Sequence, residues 1–275
     1  MKENERTKLR AMVRTMYDYQ DMRIRTANRL RLNADEESVN EVFMDNAEIE
    51  EEKYEVIQNV FSSSNEIEKQ LTKEIKKIVE SQPIWTFFKN VRGCGPLMTA
   101  VCLSEFDIYK ADTVSKMWQF AGLNPGMVKG KKIISITKNT DMAQVVREYE
   151  NQKGEKKGII VTNEMIRGDR KKAEFVSPYN AWLRSKLLGV LAGGMIKAQN
   201  GKGKSYALDF YYPYKARLEQ EDNWKEESKG HRDKAAKRYM IKMFLKDLYV
   251  AWRTVEGLTV RPSYQEEYLN HVHSA

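Results

Sequence analysis

Apolar residues recur every three or four positions at both ends of this chain, and that spacing confines most of it to α-helix. Leu9, Val13, Met16, Tyr17, Ile24 and Leu30 mark one face of a helix over the first thirty or so residues. Met240, Met243, Phe244, Leu248, Ala251 and Trp252 line the buried side of a last long helix, which starts after Gly230 and is ended by Gly257. Ser63 and Glu66 have the spacing of a capping box ahead of Ile67, Leu71, Ile75 and Ile78, and predict a helix of about four turns that stops at Pro83. Ser177 and Pro178 predict the cap and first turn of another, through Trp182, Leu183, Leu187, Leu188 and Leu191, weakening around Gly193 and Gly194. The exception lies between Gly126 and Ser177. Its β-branched runs, Ile133, Ile134, Ile136 and then Ile159, Ile160, Val161, predict a small hairpin or short sheet.

A chain of 275 residues suits one large or two small domains. The expected architecture is mainly α, a helical bundle with a small β insertion. It divides into an N-terminal helical region (1–82), a principal domain (83–257, with the insertion at about 126–177) and a tail (258–275).

Composition excludes several classes of function. With 41% hydrophobic and 31% charged residues the chain is too apolar for disorder and too polar for a membrane bundle. No run of eighteen apolar residues occurs and the amino terminus is charged from its second residue, which predicts neither a spanning helix nor a secretory signal, and a cytoplasmic location. Cys94 and Cys102 are too few for a disulfide framework or a four-ligand zinc site, and His231, His271 and His273 fall late in the chain without companions. No metal or other cofactor is expected. Lys and Arg total 47 against 39 Asp and Glu, a formal charge of +8 that favours a polyanionic partner.

Charge is also ordered along the chain. Arg6, Arg10 and Arg14 share a stripe continued by Arg23, Arg25, Arg29 and Arg31, after which Asp35, Glu36, Glu37, Glu48, Glu50, Glu51 and Glu52 reverse the sign. That order predicts a solvated helical hairpin whose arms attract each other, in preference to a separate nucleic-acid-binding arm. Lys234, Arg238, Lys242 and Lys246 recur every four residues opposite the apolar face of the last helix, a row able to meet successive phosphates. Tyr206, Phe210, Tyr211, Tyr212 and Tyr214 stand beside Lys202, Lys204, Lys215 and Arg217, a mixture that suits packing more often than base stacking. Gly203-Lys204-Ser205 has the ending of a phosphate-binding loop, but Ala198 occupies the place of its first glycine and a helix precedes it, so nucleotide hydrolysis is rejected. Of the acidic pairs, Glu105 with Asp107 is the better candidate, though the turn there reads equally as a helix stop.

The most informative segment runs from Phe88 to Leu103 through Val91, Arg92, Gly93, Cys94, Gly95, Pro96, Leu97 and Ala100. Two short helices meet at a glycine turn. Gly93 permits a positive φ, while Gly95 and Pro96 open a second helix whose unpaired N–H groups and positive dipole end suit a phosphate. This spacing resembles the helix-hairpin-helix motif. With Ser104 to Asp107, Val114 to Trp118, Phe120-Ala-Gly-Leu-Asn-Pro125, Asn180 to Leu188 and Gly230 to Met240, the stretch from about Phe87 to Gly257 resembles the C-terminal domain of the bridge-RNA-guided insertion-sequence transposases.

The resemblance implies backbone-directed DNA binding in recombination or transposition, or in its regulation, by a protein of a mobile element or phage. Its partners would be duplex or junction DNA, with structured RNA and a second copy of the chain as further candidates, and no membrane. Two features of the family do not carry over. Nothing before residue 83 offers the strands of its resolvase-like domain with four acidic metal ligands. Its serine after Gly-Leu-x-Pro is absent, because the chain reads Gly126-Met-Val-Lys-Gly130 and Ser135 is the nearest hydroxyl. No catalytic residue is therefore assigned. The DNA-contact candidates are Arg92, Gly93, Cys94, Gly95, Pro96, Leu97, Lys129, Lys131, Lys132, Lys234, Arg238, Lys242 and Lys246. Two other functions stay open: an active transposase completed by a partner or guide RNA, and a helical protein-interaction scaffold.

Overall fold

The computed structural model describes residues 1–30, 51–198 and 201–262, with the side chains of 51–54 outside that description. The fold is mainly α with one small three-stranded antiparallel sheet. Its elements fall into two compact units, one of residues 1–85 and 95–105, the other of 86–94 and 106–275. The second half of the expected hairpin thus belongs with the N-terminal helices and not with the domain beginning near residue 83.

In the first unit, α1 (Glu3–Arg29), α2 (Glu51–Glu80) and α4 (Pro96–Glu105) pack together, the one-turn α3 (Trp85–Phe88) falling between α2 and α4 in the chain. Leu9, Val13 and Met16 of α1 are buried, as their spacing predicts, with Ile75 and Val79 of α2. The capping box does not form. Helix α2 runs unbroken through Ser63, and its neighbour Ser64 is buried inside the helix. Packing along thirty residues outweighs a local cap signal, since side-chain burial carries most helix stability.

The arms do attract, but at Arg23, whose Nε donates to Glu68 at 2.7 Å with Gln20 donating to the other oxygen at 2.9 Å. Asp35, Glu36, Glu37, Glu48 and Glu50 lie outside the described residues, as do the side chains of Glu51 and Glu52. Arg10 and Arg14 turn to the C-terminal end of α4. Arg10 donates to the Ser104 carbonyl at 2.7 Å and Arg14 to Glu105 at 2.7 Å. Cations there complement the helix dipole and neutralise a buried carboxylate. From Met98 to Glu105 every residue of α4 is buried, as befits a helix apolar on all sides.

The second unit is organised around α10 (Lys229–Val255). Ser228 caps it by accepting from the His231 N–H, so the helix starts two residues earlier than expected, and Gly257 follows it with φ +66°. Helix α5 (Val114–Phe120) packs on α10, and Trp118 Nε1 donates to the Lys242 carbonyl at 3.0 Å. Arg253 is buried and holds the carbonyls of Ile108, Ala111 and Thr259.

The sheet occupies the predicted insertion. Strands β1 (Met127–Ser135), β2 (Val145–Glu150) and β3 (Lys156–Arg167) lie in the order β1-β3-β2. β2 lacks an isoleucine run and is not anticipated. The helix expected from Ser177 begins later, as α6 (Ala181–Ser185), because Asn180 is the residue whose side chain accepts from the Leu183 N–H at 3.0 Å. A π-helical turn (Lys186–Leu191) joins α6 to α7 (Ala192–Lys197), which continues through Gly193 and Gly194 where weakening is expected. Gly194 is there for a different reason. A Cβ on it would come within 2.8 Å of the Gly93 carbonyl oxygen. A second π turn (Ala207–Tyr211), α8 (Tyr212–Gln220) and α9 (Asp222–Lys225) lead back to α10.

Candidate nucleic-acid interface

The N-terminal turns of α10 and the junction between α6 and the π turn enclose a cleft of about 760 Å³. It brings together the segments 180–188 and 230–240. Arg184 comes from one wall, and His231, Lys234, Lys237 and Arg238 from the other.

Each wall is braced. Arg184 donates to the Asp169 carbonyl at 2.5 Å and lies over the Tyr179 ring at 4.9 Å. Opposite it, Arg232 donates to the carbonyls of Trp224, Lys225 and Glu227, tying the turn before α10 to the helix. Gly189 of the π turn lines the cleft, and no atom lies within 4 Å of its Cβ position. Such turns are frequent at functional sites.

Among the described residues the cleft lining holds one carboxylate, Asp233, and it is already engaged. Tyr211 donates to it at 2.5 Å and Lys237 pairs with it at 2.8 Å. Burial alone would raise its pKa, but these two donors hold it below the usual carboxylate range. Burial, aided by Asp233, pushes the Tyr211 phenol up. His231 pairs with Glu227 at 2.7 Å. Lys234 and Arg238 have no carboxylate partner among the described residues. The cleft therefore presents net positive charge on a rigid frame, an arrangement that attracts phosphates.

The row Lys234, Arg238, Lys242 and Lys246 is divided by its surroundings. Lys234 and Arg238 line the cleft. Lys242 lies over the Trp118 ring at 4.3 Å, and burial lowers its pKa, so its ammonium is engaged within the protein. Lys246 is half-buried. Arg184, His231 and Lys237 are the residues that sequence reasoning missed. Their signal was position within the two quoted segments, whose meeting is not encoded in either alone.

The hairpin residues belong to different units. In the second unit Gly93 adopts φ +78°, as the turn requires. Arg92 donates its N–H to Lys204 O at 3.1 Å, and Lys204 returns one to Asn90 O at 2.7 Å. Cys94 is corrected as a contact candidate. It is buried, and its N–H is bonded to Val91 O at 3.2 Å. In the first unit Gly95 is exposed and nothing lies within 4 Å of its Cβ position, with Pro96 and Leu97 half-buried behind it.

Lys129 and Lys131 are exposed on β1. Lys132 points to the other face and pairs with Glu174 at 3.4 Å, which removes it from their row. The loop-like Gly203-Lys204-Ser205 is used for packing, since Gly203 has φ +98° and a Cβ there would stand 2.4 Å from Asn90 O.

The tyrosine cluster also packs inward. Tyr206 is buried and donates to Asp247 at 2.6 Å, with burial foremost in raising its pKa. Tyr214 stacks on Tyr239 at 4.3 Å. Glu105 and Asp107 are spent separately, Glu105 on the two arginines in its own unit and Asp107 on the Tyr109 N–H and Lys110. Among the described residues no three His, Cys, Asp or Glu side chains gather, and no helix is long and apolar enough to cross a membrane.

Comparison with protein families, curated proteins and solved structures finds no match to this chain.

Proposed function

We propose that this chain binds DNA, as duplex or junction, through the sugar–phosphate backbone, and acts in the cytoplasm in recombination or transposition or in its regulation. The observation that carries this reading is the cleft in which Lys234 and Arg238 face Arg184, while Asp233, the one carboxylate of its lining among the described residues, is neutralised by Lys237 and Tyr211. A scaffold that bound protein through apolar faces would have no use for such a site. The test is a pair of substitutions, Lys234→Gln with Arg238→Gln. Affinity is expected to fall alike for all sequences, and the slope of log affinity against log salt to flatten by about two, because each lost phosphate contact removes about 0.9. The melting curve should not move. An unchanged slope would place both cations in free solvent and return the protein to the scaffold reading.

One observation bears on catalysis. The Ser135 hydroxyl accepts from Lys157 Nζ at 2.9 Å, the arrangement in which a lysine can activate a serine. Here the same Nζ also pairs with Glu155 at 3.0 Å, so it stands between two oxygens as a donor. The purified chain with Mg²⁺ is accordingly expected to leave supercoiled and junction DNA uncut in a gel assay. Nicking that disappears in Ser135→Ala would establish the working transposase instead.

A further inference from the structure

We infer that the open face of the three-stranded sheet is a second DNA-binding surface, which lies in the groove of a duplex with its β1–β3 ribbon. This rests on the DNA-binding reading for its ligand but on separate residues for its evidence.

Register sorts the side chains. Lys129 pairs with Met165, Lys131 with Val161 and Ser135 with Lys157 across β1 and β3, while Arg147 and Tyr149 of β2 pair with Ile159 and Lys157. Directly paired residues share a face, and alternate residues of one strand share it too. One face therefore carries Lys129, Lys131, Arg147, Lys157 and Arg167. The strand carboxylates belong to the other side: Glu148 and Glu150 pair with Gly158 and Lys156 there, and Glu164 reaches Lys172, which lies over the Phe175 ring.

The two faces also differ in cover. Residues 174–176 run along the edge of β1, where the Ile133 N–H donates to Glu174 O at 2.7 Å and the Val176 N–H to Lys131 O at 2.8 Å, and Phe175 pairs with Lys132, which puts its ring on the carboxylate-bearing face. Phe175 sits so close that a Cβ on Gly130 would be 2.5 Å from its ring. The cationic face is the more open. Met127, Val161 and Met165 stand 55%, 50% and 47% exposed among its cations.

Not all five charges are available. Asp169 takes Arg167 through two hydrogen bonds of 3.0 and 3.1 Å, and Glu155 takes Lys157. Lys129, Lys131 and Arg147 have no carboxylate partner among the described residues. Three such cations beside exposed methyl groups complement duplex DNA, whose major groove offers a phosphate wall on each side and thymine methyls on its floor. The dimensions agree, because strands about 4.8 Å apart make a ribbon that a groove about 12 Å wide admits.

The test is the triple variant Lys129→Gln, Lys131→Gln, Arg147→Gln, measured against duplex DNA over a range of salt beside Lys132→Gln as a control on the closed face. The triple variant is expected to flatten the salt slope by about three and to lose protection of guanine N7 from methylation, at an unchanged melting temperature. Lys132→Gln should behave as the parent. A triple variant with the parent's slope and footprint overturns the inference, as does loss of binding to an acidic protein with DNA binding intact. The cleft pair Lys234→Gln and Arg238→Gln, run alongside, separates the two readings. If only the sheet variant alters the slope, the cleft reading fails and this one holds; if only the cleft pair does, the reverse is true. A parent chain with no affinity for DNA overturns both.

Discussion

Gly93→Val is expected to remove more than about 4 kcal/mol of stability, a large share of the 5–15 kcal/mol typical of a folded domain. The backbone at Gly93 has φ +78°, where a β-branched residue costs about 1–3 kcal/mol in strain alone. The added Cβ would also stand 2.5 Å from the carbonyl carbon and oxygen of Gly194 and from the Met195 nitrogen. These are main-chain atoms of a helix and cannot rotate away. Nor can the turn retreat, because Arg92 and Asn90 are hydrogen-bonded to Lys204 on its other side. At roughly 2–4 °C per kcal/mol for chains of this size, the melting temperature followed by circular dichroism should fall by about 10 °C or more. A fall of less than 2 °C would show that the two glycines do not approach as described. Gly95→Asp provides the contrast. Open space surrounds that Cβ position and an acid is favoured at the start of α4, so it should melt with the parent. Retained DNA affinity in Gly95→Asp would limit the 93–96 segment to a packing turn.

Phe244→Ala should cost about 3–5 kcal/mol, the range for truncating a buried aromatic residue. Phe244 is fully buried on α10, and its ring meets those of Phe87, Phe88 and Tyr206 at 6.1, 6.2 and 5.5 Å. Edge contacts of this kind add to simple burial. Deleting the ring leaves a void bordered by three aromatic side chains that have no room to collapse together, because Tyr206 is held by Asp247 and Phe88 by its neighbours. Chemical denaturation is the measurement, with a loss below 1 kcal/mol as the contrary result. The variant also bears on function, since α10 carries Lys234 and Arg238. DNA binding should survive in whatever fraction remains folded, because the cations lie toward the other end of the helix.

Helical periodicity and β-branching were enough to place α1, α10 and the β1–β3 pair, to set Gly257 at the end of the last helix, and to assign Gly93 to a positive-φ turn. These are properties of neighbours in sequence, decided within one or two turns of chain or across alternate strand residues. Other features depended on what each segment meets in space. Ser63 is silent as a cap because α2 is extended by its packing on α1. Lys242 leaves the basic row because Trp118 lies beneath it. Arg10 and Arg14 are spent on Ser104 and Glu105. Arg184 became part of a cleft only when α6 and α10 were brought together. The same sequence rule that supplies a cation every four residues cannot say which of them faces a ring, a carboxylate or solvent. That depends on packing between elements far apart in the chain, where burial and pairing outweigh local preference.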